Sequence, residues 1–153
     1  MSVEARILSL GLTLPQAPKP VASYAACVAT GNLLFLSGVL PLRDGKLPRT
    51  GRVGREISVE EAKEEAATVV LNALAIVKDA IGDLNKIRRC VKVTGFVSCA
   101  EDFYRHPEVI NGASDLLFQV LGDSGRHARS SVGAVCLPLN SPVEIDFIFE
   151  VAA

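Results

Sequence analysis

Two stretches near the end of the chain hold the residues best suited to chemistry. The first is His127-Ala128-Arg129-Ser130-Ser131-Val132. The second is Val143-Glu144-Ile145-Asp146. Arg129 opens a run that is otherwise small or apolar. A planar guanidinium in such a setting fits bidentate capture of a carboxylate. In residues 143–151, strand alternation sets Val143, Ile145, Phe147 and Phe149 on one side. Glu144, Asp146, Ile148 and Glu150 take the other. If residues 130–137 and 143–151 pair as a hairpin through 138–142, three carboxylates share a face of a hairpin that Arg129 begins. Two readings are open. Arg129 forms a plain ion pair with Glu144 or Asp146, or it clamps a substrate carboxylate while a nearby glutamate handles water.

Other chemistries find little support in the residues. No phosphate loop, dinucleotide fingerprint or metallohydrolase pair is present. Neither His106 nor His127 lies in a nucleophile-elbow context. Cys27, Cys90, Cys99 and Cys136 show no CxxC spacing, so no metal site is expected; they read as small buried hydrophobes. Lys and Arg number 16 against 17 Asp and Glu, which leaves no basic surplus for a phosphate backbone. The nearest basic run, Lys86-Ile87-Arg88-Arg89, reads as a solvated turn before a strand. No nucleic-acid partner is expected. No run approaches the roughly 20 apolar residues of a membrane span, and residues 1–14 do not read as a signal peptide. The expected location is the cytoplasm, with no membrane partner.

The elements that must position these groups follow from punctuation and periodicity. Residues 1–20 read as an extended lead-in, on the strength of Pro15, Pro18 and Pro20. Residues 23–29 and 33–37 are short strands around a Gly31-Asn32 turn. Residues 41–55 are a long surface loop, or a short strand flanked by loops. Ser58-Val59-Glu60-Glu61 is a capping box. Beyond it Ala62, Ala66, Val69, Ala73, Val77 and Ile81 recur at helical spacing, and Gly82 follows as a stop. A helix is therefore predicted over 59–81. Residues 89–98 form a strand in which Gly95 marks a bulge or a close backbone approach. A second helix begins near Pro107, with Ile110, Ala113, Leu117 and Val120 as its apolar stripe, and ends at Gly122. The whole chain reads as one α+β domain, with one mixed sheet and two helices on one face. Hydrophobic residues reach 49% while aromatics are only 5%. Two helices cannot cover both faces, so this small aliphatic surplus leaves a second face wet or covered by another subunit.

Several segments together carry a family resemblance. They are Ser23-Tyr24, Ser37-Gly38-Val39-Leu40-Pro41, Thr94-Gly95-Phe96-Val97, Asn111, Ala128-Arg129-Ser130-Ser131-Val132, Leu137-Pro138 and Val143-Glu144-Ile145. Their order resembles the RidA (YjgF-type) family from about residue 18 to 151, as a longer branch. The resemblance implies a chorismate-mutase-like fold assembled as a homotrimer, with sheets packed into a central barrel and sites in the three clefts between subunits. It implies cofactor-free hydrolysis of 2-imino and enamine acids, such as 2-aminoacrylate and 2-iminobutyrate, to 2-keto acids and ammonia. The partner is then a small imino or keto acid with a carboxylate. By the same resemblance Arg129 binds that carboxylate and Glu144 positions the attacking water. Tyr24 lines the cleft from the neighbouring subunit, Ser37, Gly38 and Ser131 approach the ligand, and Asn111 lies near the pocket. Many relatives have cysteine where Ser131 stands. Two other classes stay open: a non-catalytic carboxylate-binding regulatory trimer, and an endoribonuclease, translation-inhibitor or chaperone-like role.

Overall fold

The computed structural model describes residues 1–20 and 22–153. The predicted long helix forms as α2, Val59–Ile81. Its capping box is complete: Ser58 accepts from the Glu61 amide, and the Glu61 side chain accepts from the Ser58 amide. Gly82 ends it in a left-handed conformation at φ 80°, which only glycine adopts without cost. The stripe of Ala62, Ala66, Val69, Ala73 and Val77 is fully buried. The second helix, α3, spans His106–Leu121. It lies against α2 so closely that a methyl group on Gly112 would overlap the Lys63 backbone carbonyl.

Among the described residues five strands make one mixed sheet: β1 Cys27–Thr30, β2 Leu33–Leu36, β3 Ile87–Ser98, β4 Ala128–Ala134 and β5 Val143–Val151. Their order is β1-β2-β5-β3-β4. β1 and β2 form the expected hairpin. β4 runs parallel to β3, while β5 runs antiparallel to it. β3, α3 and β4 thus make a crossover unit, whose helix packs on the sheet face it bridges. That face carries Val93, Val97, Val143, Ile145, Phe147 and Phe149, all fully buried. Gly95 marks a close approach rather than a bulge. An added Cβ there would lie 2.5 Å from Ile110 of α3, and the register is regular on both sides.

Three expectations need correction. The 138–142 link does not make a hairpin, because β3 lies between β4 and β5. The β3–α3–β4 crossover seats β4 at the sheet edge, and the chain must then pass β3 to reach β5. It turns there through Leu139 and Asn140, both at positive φ. The lead-in is not extended throughout: Val3–Ser9 form a third helix, α1. Ser2 caps it by accepting from the Ala5 amide, and Val3 and Ile7, one turn apart, are buried in the core. Within 41–55 no regular strand forms, only isolated bridges at Arg43 and Val53. This loop is strapped to α2: the Asn72 amide donates to the Leu40 and Leu42 carbonyls, and Arg49 pairs with Glu61, Glu64 and buried Glu65. Finally, Cys136 is exposed rather than buried. Among the described residues, no helix is long and apolar enough to cross a membrane.

Candidate functional site

The register decides which candidate residues can meet. Across the sheet, Arg129, Val93 and Phe147 stand directly opposite one another and point to the same face. Phe147 is fully buried, so this is the helix-covered face. Val132, Phe96 and Glu144 form another row, odd by three positions from the first. They point to the opposite, open face. Arg129 and Glu144 are thus separated by three residues along the strands, two strand spacings across, and the sheet itself. That is about 10 Å in each in-plane direction. The ion pair between Arg129 and a β5 carboxylate does not exist, because β3 intervenes and the side chains diverge.

Arg129 instead reaches α3. Its Nη1 donates to Asn111 Oδ1 at 2.8 Å and to Ser114 Oγ at 3.1 Å. Both Nη1 protons therefore have acceptors. Nη2 makes only a 3.4 Å contact to the Pro107 carbonyl. The Nε–Nη2 edge, whose shape matches a carboxylate in parallel two-bond geometry, makes no other hydrogen bond among the described residues. Asn111 and Ser114 sit one helical turn apart, so a single face of α3 presents both acceptors. Ser131 lies on the same side of the sheet as Arg129, in the row of Gly95 and Ile145. Its hydroxyl is buried and has no hydrogen-bond partner among the described residues.

The other candidates gather around Glu144. Val39 pairs with Ile145 through two backbone hydrogen bonds of 2.8 and 3.1 Å, which sets Gly38 beside Glu144. A Cβ on Gly38 would lie 2.7 Å from Glu144 Oε2. Only glycine leaves that carboxylate where it is. The Ser37 hydroxyl donates to the Ala25 carbonyl at 2.6 Å, and its amide donates to Ala26. These bonds tie the Tyr24 segment to Ser37–Gly38, and the Tyr24 ring is half exposed. Burial, and then the neighbouring Asp146, push the Glu144 carboxyl above its ordinary value. Asp146 is also raised, mainly by burial.

The predicted residues therefore form two groups in one chain. Arg129, Asn111 and Ser131 lie at the helix-covered face, and Glu144, Gly38, Ser37 and Tyr24 at the other. Sequence reasoning missed Ser114 and His127. His127 Nε2 is 2.8 Å from Ser114 Oγ, and Nδ1 is 2.6 Å from the Gly125 carbonyl. Two signals were available: the i, i+3 spacing of Asn111 and Ser114, and the i, i+2 spacing of His127 and Arg129.

The fold and these residues define an α+β chain of the RidA and YjgF type. A family model described as "YjgF/chorismate mutase-like, putative endoribonuclease" matches residues 4–151, and the chain belongs to that family. The sequence is 38% identical over 149 residues to Protein TCP17 of Trypanosoma cruzi, covering 97% of this chain and 93% of that protein. It is 31% identical over 137 residues to a 2-iminobutanoate/2-iminopropanoate deaminase of Dermatophagoides farinae, covering 90% and 92%. The crystal structure of Atu1372 from Agrobacterium tumefaciens, a protein of unknown function, superposes with a TM-score of 0.93 at 48% identity, covering 98% of this chain and 92% of that one.

Proposed function

We propose that the chain hydrolyses 2-imino and enamine acids to 2-keto acids and ammonia, in clefts between copies of itself. The observation that carries this reading is the split of the candidate residues. A carboxylate-binding group and a water-handling group stand on opposite faces of one sheet, so neither face alone holds a complete site. A second copy, laid with its Arg129 against this copy's Glu144, completes it. The open face is suited to such packing: Val28, Phe35 and Val132 are 58, 41 and 44% exposed there. A closed trimer repeats one such contact three times. The imine deaminase among the relatives supports the choice of substrate.

The chemistry asks little of the protein. The Nε–Nη2 edge of Arg129 holds the substrate carboxylate and fixes the adjacent C=N carbon. Glu144 from the other copy accepts a proton from water as its oxygen bonds to that carbon. Glu144 returns that proton to the carbinolamine nitrogen and then takes the hydroxyl proton as the C–N bond breaks, so that ammonia leaves and the keto acid remains. An imine carbon is already electrophilic, so orientation and one base supply most of the acceleration.

The test generates 2-iminobutyrate in situ with a threonine dehydratase and follows keto-acid release. The wild-type chain accelerates release, and Arg129→Ala loses nearly all of the gain. Carboxylate binding without acceleration across several imino acids would leave a binding protein in place of an enzyme.

A further inference from the structure

Every hydrogen-bond role around Arg129 can be assigned from chemistry alone. The Gly125 carbonyl can only accept, so His127 Nδ1 carries a proton toward it. In the neutral ring Nε2 is then an acceptor, and the Ser114 hydroxyl donates to it. Arginine only donates, so Ser114 Oγ accepts from Arg129. The chain Gly125–His127–Ser114–Arg129 thus has one direction. It lines a cavity of about 420 Å³ together with Asp115, Phe118 and Arg126. Burial, and after it the Arg129 charge, hold the imidazole below its ordinary value, against the pull of the Gly125 carbonyl. That direction favours the uncharged ring.

We infer that Ser114 and His127 are positioning residues of the carboxylate site at Arg129. They hold the guanidinium so that a carboxylate docks side-on at its Nε–Nη2 edge, and they couple that docking to the charge on His127. The inference rests on the proposed function for the identity of the site. When His127 gains a proton, Nε2 becomes a donor and Ser114 Oγ accepts from both His127 and Arg129. The serine hydroxyl keeps its hydrogen and turns it toward the cavity, and a second positive charge stands behind the docked carboxylate. The other charged groups facing the cavity are Asp115 from α3 and Arg126. Carboxylate affinity therefore rises as pH falls through the His127 titration. By linkage, a bound carboxylate makes His127 easier to protonate.

The chain has only two histidines, so NMR titration of the imidazoles resolves the question directly. The probe is 2-oxobutanoate, with His106 as internal reference. Saturating 2-oxobutanoate moves the wild-type His127 titration to higher pH and leaves His106 in place. The probe's Kd tightens about tenfold as pH falls from above to below the His127 titration, the scale of one added charge at partly screened distance. In His127→Gln the affinity no longer follows pH, and Ser114→Ala binds more weakly at every pH. A His127 titration indifferent to the probe overturns the inference. So does a pH dependence that persists in His127→Gln and disappears in Asp115→Asn. If imine hydrolysis depends on Arg129 while His127 ignores the probe, the proposed function stands and this inference falls. If neither binding nor hydrolysis is found, both fall.

Discussion

Gly38→Ala separates the geometry of the candidate site from the stability of the fold. The added Cβ would lie 2.7 Å from Glu144 Oε2 and 2.8 Å from Cδ. Ordinary van der Waals contact begins near 3.4 Å, so the carboxylate must retreat by roughly 0.7 Å. Its atoms are the end of a flexible side chain, and the three atoms nearest that Cβ all belong to the Glu144 side chain. The fold therefore loses about 1 kcal/mol at most, a Tm change of about 2–4 °C. The reaction is more sensitive. A base displaced by close to 1 Å costs up to about 100-fold, so kcat/KM for 2-iminobutyrate is expected to fall at least tenfold. That corresponds to about 1.4 kcal/mol of transition-state stabilisation. The assay is dehydratase-coupled keto-acid release beside a thermal melt of the same sample. Unchanged turnover would refute the role of Glu144. A collapse of Tm alongside the activity would show that Gly38 serves the fold.

Other perturbations follow from the same structure. Gly112→Ala drives a methyl into the Lys63 carbonyl of α2, where the three nearest atoms are all backbone; denaturant melts should show a loss of about 1–3 kcal/mol or more. Ser58→Ala removes the capping hydroxyl of α2 and should cost about 1 kcal/mol in the same measurement, with no change in KM. Glu144 must be ionised to take a proton from water, and its pKa is raised. The rate should therefore climb as pH rises through a midpoint above the usual glutamate value near 4.5, and Glu144→Gln should remove that limb from the pH–rate profile.

Local rules made α2 legible to the residue at both ends, since its box, stripe and glycine stop all act within one turn of where they stand. The alternation of β5 was legible for the same reason, while at Gly95 a bulge and a close approach both stayed open until Ile110 was seen against it. Strand order was not. Whether β4 pairs with β5 or with β3 depends on where α3 docks, and no spacing within 130–151 encodes that. The mistaken hairpin carried a second error with it, placing Arg129 on the face of Glu144. α1 was obscured because the three prolines that follow it dominate the reading of the segment, although the Val3–Ile7 spacing pointed to a helical turn. Arg129 and the β5 carboxylates stood out by residue type, and the remaining site residues came from the family resemblance. Their separation into two groups came only from the register, and so did the partnership of Ser114 with His127.

Complementation between inactive chains tests the shared site most directly. Arg129→Ala and Glu144→Ala are each purified inactive, then mixed 1:1 under conditions that exchange subunits, with two tags to confirm mixed oligomers. If each site takes its arginine from one copy and its glutamate from the next around a closed ring, random mixing leaves about a quarter of the sites with both groups intact. Imine hydrolysis should return to about a quarter of the wild-type specific activity. Confirmed mixed oligomers without any recovery would contradict a site built from two copies.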